Sequence, residues 1–266
     1  MTYDELLKGR VSPSRMLSWT QCQRRARHEQ REPKRYGTAE HVSAWVGTAA
    51  HAALRICTEE KLRPDEIHER ILGSGSRKWA QERPARPDPV EFDTVSPTWK
   101  VTDLQVAEIV SKAISIIEVE GLTVLRFELE VDEQDDQLPI KGTLDMYGID
   151  LDASPVILDL KTGRQLQAGV WLQLGAYALA ADRSKVCAYE ETRVAMLHVP
   201  RAKQTEVQKG SIAYRDAEPL VEDAYAIACD IRRIMECGGA LPSPGMHCAA
   251  CQVKDCAVRA SEEGPQ

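Results

Sequence analysis

The chain has 266 residues, enough to bury one sizeable core, and 43% of them are hydrophobic, the usual share for a globular protein. Its net charge of −7 argues against a protein that coats nucleic acid through bulk positive charge. No apolar run approaches the ~18 residues of a membrane span, and Met1–Arg10 lacks the apolar centre of a signal peptide. A cytoplasmic protein without a membrane partner is expected.

From the N-terminus, Ser14 to about Gln30 reads as a helix, with Ser12–Pro13 or Ser14 near its cap. Within Gln23–Arg35, Arg24, Arg25, Arg27, Arg31, Lys34 and Arg35 face only Glu29 and Glu32, which by itself describes a solvated basic face. Ala44–Glu60 is a second helix, with Ala50, Ala53, Leu54 and Cys57 on one face and His51 between them. The stretch from Arg63 to Thr98 is rich in proline and charge and reads as a loop or an insertion between helices. Asp103–Glu120 carries Val106, Ile109, Val110, Ala113, Ile114 and Ile117 at helical spacing. Strands follow at Thr123–Val131, Leu138–Ile149 and Val156–Lys161, with Asp132–Gln137 as a polar hairpin turn. Ala168–Ala181 reads as a helix, Arg193–Val199 as a fourth strand and Pro219–Met235 as a long final helix. Strands with flanking helices predict an α/β fold around a mixed sheet.

The chemistry is concentrated in Gly142-Thr143-Leu144-Asp145, in Asp159-Leu160-Lys161-Thr162-Gly163, and in Gln173 and Tyr177. Two carboxylates and a lysine stand where a buried strand should carry Val or Ile, and such groups are almost never buried without partners. A divalent cation is one such partner. Asp159 and Lys161 alternate onto one side of their strand, and the Leu160 carbonyl is left available as a further ligand. Asp145 can lie beside Asp159 on the neighbouring strand. Two carboxylates for a metal and a lysine to steer a water are the equipment for hydrolysing a phosphodiester. Beside such a site the basic run at Arg24, Arg25, Arg27 and Arg31 becomes a phosphate-contacting surface. Gln173 and Tyr177, four apart on a helix, share a face.

Of eight cysteines, Cys57, Cys187, Cys229 and Cys237 are scattered as small buried hydrophobes would be. Cys248-x2-Cys251-x4-Cys256 has metal spacing. Spacing alone suits zinc and a [4Fe–4S] cluster equally, each needing a fourth ligand, and the neighbouring His247 is compatible with zinc. There is no Gly-x4-Gly-Lys phosphate loop, hence no ATP motor of that type, and no cysteine pair followed by a histidine pair as in a zinc finger.

These motifs, in this order from Val11 to Cys256, resemble the PD-(D/E)XK nucleases of the RecB type, and among them the stand-alone CRISPR-associated RecB-like exonucleases. Ser12-Pro13-Ser14-Arg15 leading to Cys22, Gly47-Thr48-Ala49-Ala50-His51, the GxxD carboxylate Asp145, the D-x-K pair Asp159 and Lys161, the QxxxY pair Gln173 and Tyr177, and Cys248, Cys251 and Cys256 carry the resemblance. An upstream acidic residue of the family falls on Glu128 or Glu130.

The resemblance implies a restriction-endonuclease-like mixed sheet flanked by helices, with a helical N-terminal and a cysteine-bearing C-terminal segment. It implies one domain over residues 1–266, mainly helical at 11–120, with the catalytic sheet at 121–200 and the last helix and cluster segment at 201–266. It implies Mg2+ or Mn2+ on His51, Asp145, Asp159 and the Leu160 carbonyl, with Lys161, Gln173 and Tyr177 beside them. It places a [4Fe–4S] cluster, with Zn2+ as the alternative, on Cys22, Cys248, Cys251 and Cys256. The implied activity is exonucleolytic cleavage of DNA, chiefly single-stranded ends, with recombination or CRISPR adaptation proteins as partners. Trimming of DNA before integration and a non-catalytic cluster-bearing scaffold are the alternatives.

Overall fold

An apolar strand buried on both faces needs a helical layer on each side. That condition is met around β3 (Pro155–Lys161), whose residues from Val156 to Leu160 are all buried. The computed structural model describes residues 12–31, 42–85, 99–132, 140–163, 169–201 and 209–237, with Leu241, Ser243, Val253 and Cys256. The expected hairpin turn past Asp132, together with His247, Cys248 and Cys251, lies outside the described residues.

The helices are α1 (Pro13–Gln21), α2 (Gln23–Arg31), α3 (Val42–Glu59), α4 (Ile67–Leu72), α5 (Ser76–Glu82), α6 (Trp99–Val119), α7 (Val170–Arg183) and α8 (Ala217–Glu236). The strands are β1 (Thr123–Asp132), β2 (Lys141–Ile149), β3, β4 (Arg193–His198) and β5 (Ser211–Asp216), in that spatial order. Every neighbouring pair is antiparallel except β3 and β4, which are parallel and joined through α7. A parallel pair requires such a crossover, because a tight turn cannot reverse direction twice.

Two cores sandwich the sheet. Val156, Leu158, Leu160, Ala195 and Leu197 pack on one face against α3, α4, α5 and α6. Ile157, Val194 and Met196 pack on the other against α1, α7 and α8. The alternation of β3 between the two clusters is the two-residue period of a strand. It sends Asp159 and Lys161 toward α7.

Three segments differ from what the sequence predicts. The first helix is two helices. Cys22 is extended between them (φ −159°, ψ 111°), its N–H donating to Ser18 and its carbonyl accepting from Ala26. It thus caps one helix and opens the next, with its thiol buried. The proline- and charge-rich stretch after Arg63 contains α4 and α5. Ile67 and Ile71, one turn apart, and Trp79 fill the first core, while Arg70, itself nearly buried, joins the half-exposed Glu60 and Glu82 in an ion network. Hydrogen bonds from Arg70 and Lys78 hold the Glu60 carboxyl down at about 2. The strand β5 was not anticipated, since only Ile212 and Tyr214 of its six residues are partly buried apolar groups.

Backbone approach fixes two glycines. Gly121 ends α6 in the left-handed region (φ 65°), where a side chain would also meet Leu151. Gly175 lets α7 lie on α8: a Cβ there would stand 2.2 Å from the Leu220 carbonyl oxygen. Alanine normally improves a helix by about 1 kcal/mol over glycine. Here overpacking against backbone outweighs that gain, so Gly175→Ala should destabilise the protein by about 1–3 kcal/mol in urea unfolding. An unchanged or raised midpoint would contradict the close α7–α8 contact.

Candidate active site

The site begins where β2 and β3 part. Their ladder ends at Met146 opposite Leu158. In continued register Asp145 would pair with Asp159. Instead the Leu160 N–H donates to Asp145 Oδ2 at 3.0 Å. The side-chain alternation of β1 and β2 inverts at this level. Phe127 and Met146 belong to the first core, whereas Leu129 and Leu144, two residues away on each strand, belong to the second. The pleat therefore breaks at Asp145 and at Glu128 opposite it. Glu128 carries the break in its backbone, at φ 48°. The left-handed region costs a residue with a Cβ about 1–2 kcal/mol. Glu128 meets Arg55 Nε at 3.6 Å, an exposed pair of the kind that returns ~0–1 kcal/mol.

The splayed end admits groups from both helical layers. From α3, His51 Nδ1 lies 3.3 Å from Asp145 Oδ2. On β3, Lys161 Nζ contacts Asp159 Oδ2 at 2.7 Å. From α7, Gln173 Oε1 stands 3.5 Å from Lys161 Nζ, and its Nε2 points to the Tyr177 hydroxyl at 3.5 Å. Both of these last contacts are at the outer limit of a hydrogen bond. Tyr177 is nearly buried, and burial pushes its phenol up to about 12. Its ring lies on Gly142, where a Cβ would come within 2.7 Å of Tyr177 Cε1 and 2.9 Å of Pro13 Cδ. The glycine of the GxxD sequence is thus needed for the aromatic ring and for the start of α1.

Burial and like charge dominate the electrostatics. Asp159 is 3% exposed. Desolvation, reinforced by Asp145, raises its carboxyl to about 7 against the opposing Lys161 ammonium. Burial opposes ionisation of Asp145 too, but His51, Lys161 and the Leu160 N–H outweigh it and lower its pKa. Burial opposes charging of His51, and Asp145 more than compensates, leaving that imidazole above its ordinary value. The Lys161–Asp159 contact is an ion pair at short distance, yet Asp159 Oδ2 has no hydrogen bond of good angle.

The donors fit a divalent cation in chemistry. Two carboxylates, an imidazole and a carbonyl are the ligands that Mg2+ or Mn2+ accepts. Cis ligands of an octahedral ion at ~2.1 Å are about 3 Å apart, and the 3.3 Å between His51 and Asp145 is of that size. Within an extended strand one residue's N–H and C=O point to the same edge. The Leu160 carbonyl therefore faces Asp145, while the Lys161 carbonyl faces β4 and accepts from Val199 at 2.9 Å. Among the described residues no three His, Cys, Asp or Glu side chains already form a closed metal cage. Lys161 and His51 stand against the two carboxylates instead.

The sequence reading missed a clamp behind Lys161. The carbonyls of Lys161, Thr162 and Gly163 are each held by the exit of β4: by Val199 N, by Arg201 N and Nε at 3.2 and 3.3 Å, and by His198 Nε2 at 2.8 Å. Gly47 of α3 approaches Thr162, its missing Cβ 3.2 Å from the hydroxyl. No sequence spacing links His198 or Arg201 to Lys161; the parallel register of β3 and β4 does. The remaining expected residues stand apart from this cluster or beyond the described part. Cys22 and Cys256 are both buried. Arg24, Arg25 and Arg27 are half-buried on α2 and each has a partner within the protein, while the Arg31 side chain is outside the described residues.

Residues 10–256 match the family described as the PD-(D/E)XK nuclease superfamily, and the chain belongs to that superfamily. Among solved structures it is similar in fold to a candidate exonuclease from Eubacterium rectale, at 11% identity over 98% of this chain and 96% of that one, with a TM-score of 0.56. The structure of SSO0001 aligns at 12% identity over 89% of this chain and 93% of that one, with a TM-score of 0.29. No curated protein matches. The mixed sheet with helices on both faces is the restriction-endonuclease-like fold that the sequence predicts. Among the described residues no helix is long and apolar enough to cross a membrane.

The raised pKa of Asp159 has a thermodynamic consequence. The folded protein keeps a proton that the unfolded chain has already lost, so metal-free stability falls as pH rises from about 4 to about 7. Asp159→Asn removes that penalty. At pH 8 in chelator it should raise Tm by about 2–8 °C, from ~1–2 kcal/mol of relieved burial cost, and change little at pH 4. A lower Tm at pH 8 would contradict the raised value.

Proposed function

We propose that the chain is a metal-dependent DNA exonuclease acting on single-stranded ends. The observation that carries this reading is the buried Asp159 beside Asp145 at the splayed end of β2 and β3, with Lys161 in contact. His51, Asp145, Asp159 and the Leu160 carbonyl would hold Mg2+ or Mn2+, which would supply Lewis-acid polarisation of the phosphate and a lowered pKa for the attacking water.

The chain's own groups do the remainder. Lys161 orients the water and donates to the phosphate oxygen on which charge develops. Gln173 limits where the Lys161 ammonium can swing, and Tyr177 fixes Gln173. The three clamped carbonyls keep the Lys161 backbone from drifting, and small displacements at such a site are costly. The absence of a Gly-x4-Gly-Lys phosphate loop, and so of an ATP motor of that type to open a duplex, supports the preference for single strands. Cys22, Cys248, Cys251 and Cys256 bind a [4Fe–4S] cluster that ties both ends of the chain. The buried thiols of Cys22 and Cys256 support that reading, with Zn2+ as the alternative. The protein acts in the cytoplasm with recombination or CRISPR adaptation proteins. The intact set of Asp145, Asp159 and Lys161 in one cluster speaks against a non-catalytic scaffold.

Two measurements test this reading. End-labelled single-stranded DNA should be degraded with Mg2+ or Mn2+, and Asp145→Ala, Asp159→Ala and Lys161→Ala should each lose at least about 10²–10³ in rate. Undiminished cleavage by Asp159→Ala in excess chelator, or efficient cutting of a closed single-stranded circle, would contradict it. Protein purified without oxygen should be brown and hold about four irons per chain, lost on Cys22→Ala. Colourless protein with one zinc would refute the cluster.

A further inference from the structure

Arg55 lies one helical turn beyond His51 on α3, and Glu128 falls opposite Asp145 across β1 and β2. One turn advances ~5.4 Å and one strand spacing is ~4.8 Å. The helix therefore steps along the sheet in register: His51 meets Asp145 on β2, and Arg55 meets Glu128 on β1. Arg55 is in this way a neighbour of the metal-site cluster, displaced by about one strand.

Its bonding is incomplete. Arg55 Nε is buried without a hydrogen bond. Glu128 Oε2 stands 3.6 Å from Nε and Glu59 Oε1 stands 3.8 Å from Nη1, both beyond hydrogen-bond reach. The Arg55 side chain as a whole is still about one-third exposed. Glu128 holds a strained backbone in the middle of a strand to stand there, and the exposed pair it makes returns less than the strain costs. Strain that local contacts do not repay collects at functional sites.

We propose that Arg55 is a substrate-binding residue that takes a backbone phosphate of the DNA strand next to the scissile one, and that Glu128 holds the guanidinium in place until the phosphate displaces it. This rests on the nuclease reading for its ligand. A phosphodiester supplies what the site lacks, two non-bridging anionic oxygens able to take two parallel N–H donors from a planar guanidinium. A lysine would carry the charge without that fork.

The test is binding of a fluorescent single-stranded oligonucleotide to the full chain, carrying Lys161→Ala to prevent cleavage, in Mg2+ and across a salt series. Arg55→Gln should weaken binding about tenfold or more and reduce the slope of log affinity against log salt by ~0.7, the share of one phosphate. Arg55→Lys should restore the slope but not the whole affinity. Glu128→Gln, which frees the guanidinium from its competitor, should tighten binding about two- to fivefold. Arg55→Gln with unchanged affinity and slope would overturn the proposal. Should that variant fail to fold, unchanged or weaker binding by Glu128→Gln would do so. Cleavage is read separately on the Lys161-bearing protein. Binding that depends on Arg55 in a protein that cuts no DNA would sink the nuclease reading and leave Arg55 as a phosphate site. Normal cleavage with no Arg55 dependence would sink only the role of Arg55.

Discussion

The hydrogen bond from the Leu160 N–H to Asp145 is the contact on which the site depends. Ordinary antiparallel pairing would run β2 and β3 on together, with Asp145 and Asp159 as like-charged cross-strand neighbours, a destabilising arrangement. By accepting the Leu160 N–H, the Asp145 carboxylate replaces a ladder bond and lets the strands part. The backbone donor remains satisfied, which a buried strand requires. The gap so opened is what admits His51 from one helical layer and the Lys161–Gln173–Tyr177 chain toward the other.

That arrangement also explains why two aspartates in one pocket behave differently. Asp145 has His51, Lys161 and a backbone donor and is held ionised; Asp159 is deeper, with Lys161 as its close cation, and is pushed toward its neutral form. Metal binding must displace the proton that Asp159 retains, and it competes with the contact between His51 and Asp145. The protein thus sets Lys161 and His51 in pairs with the two carboxylates. Such pairs keep buried carboxylates tolerable when the cation is absent, at the expense of making its binding dependent on pH.

Much of this was visible in the sequence because the signals were local. An apolar run ending in Asp159-Leu160-Lys161 announces a buried strand with an unburiable end, and the spacing of Gln173 and Tyr177 announces a shared helix face. The long helix from Trp99 to Val119 was plain from its apolar period. What was not legible depends on tertiary context. The pleat inversion at Glu128 and Asp145 is a backbone event with no compositional mark. The clamp by His198 and Arg201 exists only because β3 and β4 are parallel and in register. The helices α4 and α5 were hidden by proline and charge, their existence resting on Ile67, Ile71 and Trp79 finding a core elsewhere in the chain. Strand β5 is an edge strand with little buried surface, so its alternation is too weak to stand out.

The central claim is that the splayed strand end is a divalent-metal site. It is tested most directly by calorimetric titration of the chelator-treated full chain with Mn2+, near pH 7, in two buffers of different ionisation enthalpy. The account predicts saturable binding with net proton release, abolished by Asp145→Asn and lost or greatly weakened by Asp159→Asn. Binding of the same affinity in both variants, or none in the parent protein, would contradict it.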